Sequence, residues 1–100
     1  MTKTDIKKEF QSMEKHGALV YTLNSYRAMP RGMRGLPDHI IIAGKDIYFI
    51  EVKLPGDRLR KEQIEFREAI NGADGVFYSE CTGVKDVGVI RNMIYNSLGD

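Results

Sequence analysis

Two carboxylates and an amine stand at spacings that could do chemistry. Asp38 follows Pro37 just before one apolar run, Ile40–Ala43, and Glu51 and Lys53 stand at the end of a second, Ile47–Val52. Both runs are rich in β-branched and aromatic residues, and Gly44-Lys45-Asp46 separates them, which reads as two strands joined by a tight hairpin. Gly44-Lys45 suits a two-residue loop with Gly first, the type II′ preference. With that loop, residues whose numbers sum to 89 pair, so Asp38 lies opposite Glu51; a four-residue loop over Ala43–Asp46 gives the same register. Directly opposed side chains share a face with Cβ atoms about 4.5–5.5 Å apart. Lys53, two residues past Glu51, emerges on that face as well.

Like charges opposed across a sheet repel. A divalent cation would turn that repulsion into coordination, and Mg²⁺ favours a few carboxylate oxygens while keeping waters, which leaves room for a phosphate. Lys53 would hold or activate a water beside it. Metal, water and phosphate together make the arrangement for phosphodiester hydrolysis. A Glu-x-Lys alone is most often a polar strand end. The Pro-Asp, the register, and the placing of Glu and Lys, poor strand formers, at the end of a run as apolar as Ile47–Ile50 point beyond that.

Gly35-Leu36-Pro37-Asp38, then Phe49-Ile50-Glu51-Val52-Lys53, then Gln63 resembles the PD-(D/E)XK nuclease pattern, and more narrowly the VRR-NUC family of virus-type replication-repair nucleases. The similarity runs from the first helix to the last. It implies a restriction-endonuclease-like core and a metal-dependent endonuclease. On this resemblance Asp38, Glu51 and the Val52 carbonyl are metal ligands for Mg²⁺ or Mn²⁺, Lys53 serves the attacking water, and Gln63 orients it. The family also carries an acid on its first helix, three residues before an Ile. Lys3 occupies that place here, which leaves Glu9 as the expected fourth ligand, with Glu14 and Asp5 as alternatives.

These residues need a scaffold. One hundred residues, 42% hydrophobic and 29% charged, suit a single α/β domain over 1–100 with a modest core. Asp5–His16 has Ile6, Phe10 and Met13 at helical spacing, Gly17 as a stop, and Thr4 or Thr2 as a cap. Ala18–Leu23 is a short strand, Leu59–Asn71 a helix ended by Gly72, Val76–Ser79 a fourth strand, and Val84–Leu98 a last helix. Helix, strand, hairpin, helix, strand, helix predicts a mixed sheet of about four strands flanked by helices. Apolar residues on both faces of the hairpin predict cover on both sides.

Net charge is only +1, so composition alone does not argue for nucleic acid. Distribution says more. Asn24–Gly35 lacks periodicity and carries Arg27, Arg31 and Arg34 with no acid, the composition of a loop gripping DNA near a distorted or branched point. Arg58, Arg60 and Lys61 flank the proposed site and suit a phosphate backbone. The expected partner is DNA, branched or duplex. The family resemblance extends to junction-resolving enzymes, and symmetric cutting of a four-way junction needs two active sites, which a homodimer supplies; small size and the apolar last helix, with Met93, Ile94 and Tyr95 around its circumference, fit such a dimer.

Other chemistries find no footing. Two His and one Cys are too few for a structural zinc site. Cys81 has no partner for an intrachain disulfide, no run approaches a membrane span, and Met1–Phe10 is too polar for a signal peptide. A reducing cytoplasm, bacterial or of a phage-infected host, is the expected setting. His39 should point away from Asp38, to the opposite sheet face. The alternatives kept open are a catalytically silent DNA-binding module, a flap or nicking endonuclease, and an assembly subunit whose basic loop meets an acidic protein.

Overall fold

The computed structural model describes residues 1–23 and 35–99. Their order is helix α1 (Lys3–Gln11), a 3-10 turn (Ser12–His16), strands β1 (Leu19–Thr22), β2 (His39–Ala43) and β3 (Asp46–Val52), helix α2 (Lys61–Ile70), strand β4 (Val76–Cys81) and helix α3 (Val84–Ser97). The sheet runs β1-β2-β3-β4, antiparallel between the first three strands and parallel between β3 and β4. The expected α/β architecture and mixed four-stranded sheet are present. No helix among the described residues is long and apolar enough to cross a membrane.

Local chemistry explains the elements. Thr2 and Asp5 form a reciprocal cap: the Asp5 N–H donates to Thr2 Oγ1 at 3.1 Å and the Thr2 N–H to Asp5 Oδ2 at 2.9 Å. Gly44 has φ +61° at the first hairpin position, and no described residue other than glycine has positive φ, which is the type II′ pattern. A side chain there would also strike the Ser97 carbonyl, since a Cβ would lie 2.5 Å from its oxygen. That close approach is held from both sides. Ser97 Oγ donates to Asp46 Oδ2 at 2.7 Å, and the Tyr48 hydroxyl donates to the Met93 carbonyl at 3.0 Å. The end of α3 is thereby tied to the hairpin turn.

The two sheet faces differ. His39, Ile41, Ala43, Tyr48, Ile50, Val52 and Cys81 form the face packed under α1 and α3, where Ile6, Phe10, Met13, Val87, Ile90 and Ile94 complete the core. The alternation along β2, with its odd residues buried and its even ones half-buried, follows from the period of two. On the other face α2 lies over β3 and β4, its Phe66 ring edge-on to Phe49 with centroids 5.0 Å apart. Helices thus lie on both sides, as expected, while Leu19 and Tyr21 of β1 remain 54% and 51% exposed.

Gly35 lets the chain reach β2 beside α2. A Cβ at this position would sit 2.6 Å from the Glu62 carbonyl oxygen and 3.5 Å from Phe66 Cβ. Gly35→Ala must therefore push the Pro37-Asp38 approach off the helix backbone. The expected cost is about 1–3 kcal/mol, the range for overpacking, read as a lowered urea midpoint at unchanged slope.

Candidate active site

The site is built on hairpin register. His39 pairs with Ile50, Ile40 with Phe49 and Ile41 with Tyr48, so Asp38 arrives opposite Glu51 as expected. The next position matters as much. The same register sets Val52 against Pro37, and a proline has no N–H to give to the Val52 carbonyl. Asp38 takes up the other half of that broken pair: its Oδ2 accepts the Val52 N–H at 2.9 Å. Its backbone carbonyl accepts the Leu23 N–H at 2.8 Å, so the residue is gripped on both sides.

Glu51 is only 2% exposed. Its carboxyl is pushed up to about 8, first by burial, then by the charge of Asp38 and the hydrogen bond between the two carboxyls, with Lys53 and Arg60 pulling the other way. At neutral pH Glu51 therefore holds its proton beside Asp38. Lys53 Nζ lies beyond it, donating to Gln63 Oε1 and to the Arg58 carbonyl, both at 3.3 Å. Gln63 Oε1 also accepts the Arg60 N–H at 2.7 Å, which caps the first turn of α2. The buried Gln63 thus has its oxygen engaged twice, and only its amide NH₂ can face a ligand.

First-helix acids do not join this cluster. Glu9 instead pairs with Arg91 of α3 at 3.0 Å, in the helical layer on the opposite sheet face. Its register on α1 explains this: the Ile6–Phe10 stripe is driven into the core, and the edge carrying Glu9 turns toward α3. Asp5 is spent on the N-terminal cap and Glu14 is exposed on the 3-10 turn. The end of α1 that approaches Asp38 brings Lys3 and Lys7, which line a cavity of about 410 Å³ together with Asp38, His39 and Val52. Neither Glu51 nor Lys53 lines it.

Among the flanking cations, Arg60 stands close enough to act on Glu51, Arg58 contributes its carbonyl, and Lys61 turns outward to Glu65 at 3.8 Å. Arg27, Arg31 and Arg34 lie outside the described residues. His39 does face away, as expected. It is buried against Phe10 with Nδ1 3.1 Å from Thr22 Oγ1, and burial lowers its pKa, so it is a neutral core histidine. Among the described residues no group of three or more Asp, Glu, His and Cys side chains is placed to hold a metal ion.

Strand β4 adds residues that sequence spacing does not reveal. Its parallel register sets Glu80 beside Glu51 and Tyr78 beside Phe49, on the same face. Arg67 of α2 meets Glu80 at 3.3 Å. The Tyr78 hydroxyl is buried without a hydrogen-bond partner. Burial, then the charges of Glu51 and Glu80, push its ionisation up to about 12. Only the β3-to-β4 pairing could have found these two, and a parallel pairing across a helix leaves no turn signal to count from. The sequence matches no protein-family model and no curated protein.

Two outcomes follow from the buried groups. A Glu in the unfolded chain ionises near 4.5, whereas folded Glu51 holds its proton to about 8. The stability from that proton is full below about pH 4.5 and is lost as the pH climbs through about 8. Glu51→Gln, a neutral isostere, should lie close to the wild type in urea midpoint near pH 4.5 and above it at about pH 9. Tyr78→Phe removes a buried hydroxyl that has no acceptor and should raise stability by about 1 kcal/mol in thermal or urea denaturation.

Proposed function

We propose that this chain is a VRR-NUC-like, metal-dependent DNA endonuclease that hydrolyses phosphodiester bonds, acting at branched DNA such as four-way junctions. The observation that carries this reading is the meeting of Asp38 and Glu51 on one sheet face with Lys53 at its end. A structural role needs neither the opposed acids nor a buried Glu. Removal of water from one carboxylate beside another is costly unless a proton or a cation joins them.

The donor set suits a hard cation. Two carboxylates and the Val52 carbonyl, which Pro37 cannot pair, would hold one Mg²⁺ or Mn²⁺, with waters completing the shell. Bound there, the cation would supply Lewis acidity toward a phosphate oxygen. The chain's own groups do the rest. Asp38 is oriented by the Val52 N–H. Lys53, steadied by Gln63 Oε1 and the Arg58 carbonyl, presents an ammonium to the attacking water and to the charge that develops on the phosphate. The Gln63 NH₂ is left to orient that water.

A second reading, a DNA-binding module that has lost catalysis, draws support from α1. Lys3 stands where the family's acid is expected, and Glu9 is committed to Arg91. A homodimer is still proposed for symmetric junction cutting, but not through α3: Ile94 is fully buried and Met93 and Tyr95 pack against the chain's own core. Exposed Leu19 and Tyr21 on the outer strand offer a surface in its place.

Labelled four-way junction and linear duplex, incubated with Mg²⁺, Mn²⁺ or EDTA, separate these readings. The wild type should cut the junction only with metal. Lys53→Ala should slow cleavage at least 10²-fold, the scale for removing one group that stabilises transition-state charge, while still binding junction and melting as the wild type does. Salt-sensitive binding without metal-dependent cutting would identify the silent module. Full activity in Lys53→Ala would remove that residue from the mechanism.

A further inference from the structure

Beneath α1 the cavity of about 410 Å³ falls within the size range of small-molecule sites, about 300–1,000 Å³. Lys3, Lys7 and Gln11 are spaced four apart, so they line one side of α1 and face it together. Thr4 adds a hydroxyl donor, the Thr22 hydroxyl is engaged with His39 Nδ1, and Val20 and Leu23 make the wall partly apolar. Asp38 is the sole acid in the lining, and its Oδ2 is already engaged by the Val52 N–H.

The two lysines are available. Lys3 reaches Asp57 at 3.5 Å, but both side chains are nearly half exposed, so that pair is weak and readily exchanged. Lys7 has no ion-pair partner among the described residues. It lines the cavity beside His39, on which its charge also acts. Two cations, neutral donors and an apolar wall describe a place for a phosphate carrying a sugar and a base. Asp38 and Val52 belong both to this cavity and to the proposed cation site, so the two spaces share a wall.

We infer that this cavity is a subsite for one nucleotide of the DNA strand being cut, with Lys3 and Lys7 on the phosphate next to the scissile one. The inference rests on the nuclease reading for its location but has its own readout. Binding of a labelled single-stranded oligothymidylate to the full chain, followed by fluorescence anisotropy in EDTA across a salt series, tests it without catalysis. Lys3→Ala/Lys7→Ala should weaken binding about tenfold or more, and the slope of log affinity against log salt should fall by about 0.7 for each phosphate that is no longer neutralised. Lys85→Ala, on the exposed side of α3, should change neither.

Unchanged affinity and slope in a double variant that melts as the wild type does would overturn the inference, whatever the cleavage assay shows. Loss of binding in that variant, beside a wild type that binds and never cuts, would keep the subsite and remove the nuclease. Thymidine monophosphate competing as strongly as the oligomer would make this a free-nucleotide site and overturn the strand assignment. A wild type that binds no oligomer would overturn it as well.

Discussion

Everything near the candidate site hangs on one backbone pairing, the β2–β3 register. A sheet repeats every two residues, so a one-residue slip would turn Asp38 and Glu51 to opposite faces. The pairing is held at both ends. Gly44 at φ +61° makes the turn, and α3 is seated so close to it that no other residue fits. At the open end Pro37, which has no N–H, breaks the ladder, and the Asp38 side chain accepts the Val52 N–H in place of a strand carbonyl. The stop in the ladder and the placement of the carboxylate are the same event.

That arrangement stores an electrostatic conflict. Two carboxylates meet where one of them, Glu51, is almost without solvent, and burial beside Asp38 keeps the proton on Glu51. The local cations are arranged around this pair: Lys53 at the strand end, Arg60 at the start of α2, and Lys3 and Lys7 across the Asp38 and Val52 wall. Gln63 joins two of these layers, since one oxygen caps α2 and also holds Lys53. Helix α2 is therefore coupled to the amine at the site through a single amide. Gly35, pressed against the Glu62 carbonyl, couples the same helix to the approach of Asp38.

Much of this was legible from residue types. The hairpin, its turn class and the opposition of Asp38 to Glu51 follow from periodicity and one glycine, because antiparallel pairing across a short loop leaves little freedom. Helix positions followed from apolar spacing, although the first helix gives way to a 3-10 turn at Ser12–His16. Glu9 stands apart from the acid pair for a definable reason. Its place on the helical wheel put it at the edge of the apolar face, but not which neighbour that edge would meet, and the neighbour is Arg91 of α3.

By itself, then, the sequence determined what is local: which residues share a strand face, where the chain turns, and that two acids and an amine converge. Tertiary structure decided what depends on distant segments docking. It laid β4 parallel to β3, which set Glu80 beside Glu51 and buried the Tyr78 hydroxyl. It also turned the lysine end of α1, rather than Glu9, toward Asp38. The physical reason is range: a turn of two residues constrains its strands directly, while a crossover helix and a helix packed by its apolar stripe take their register from the whole core.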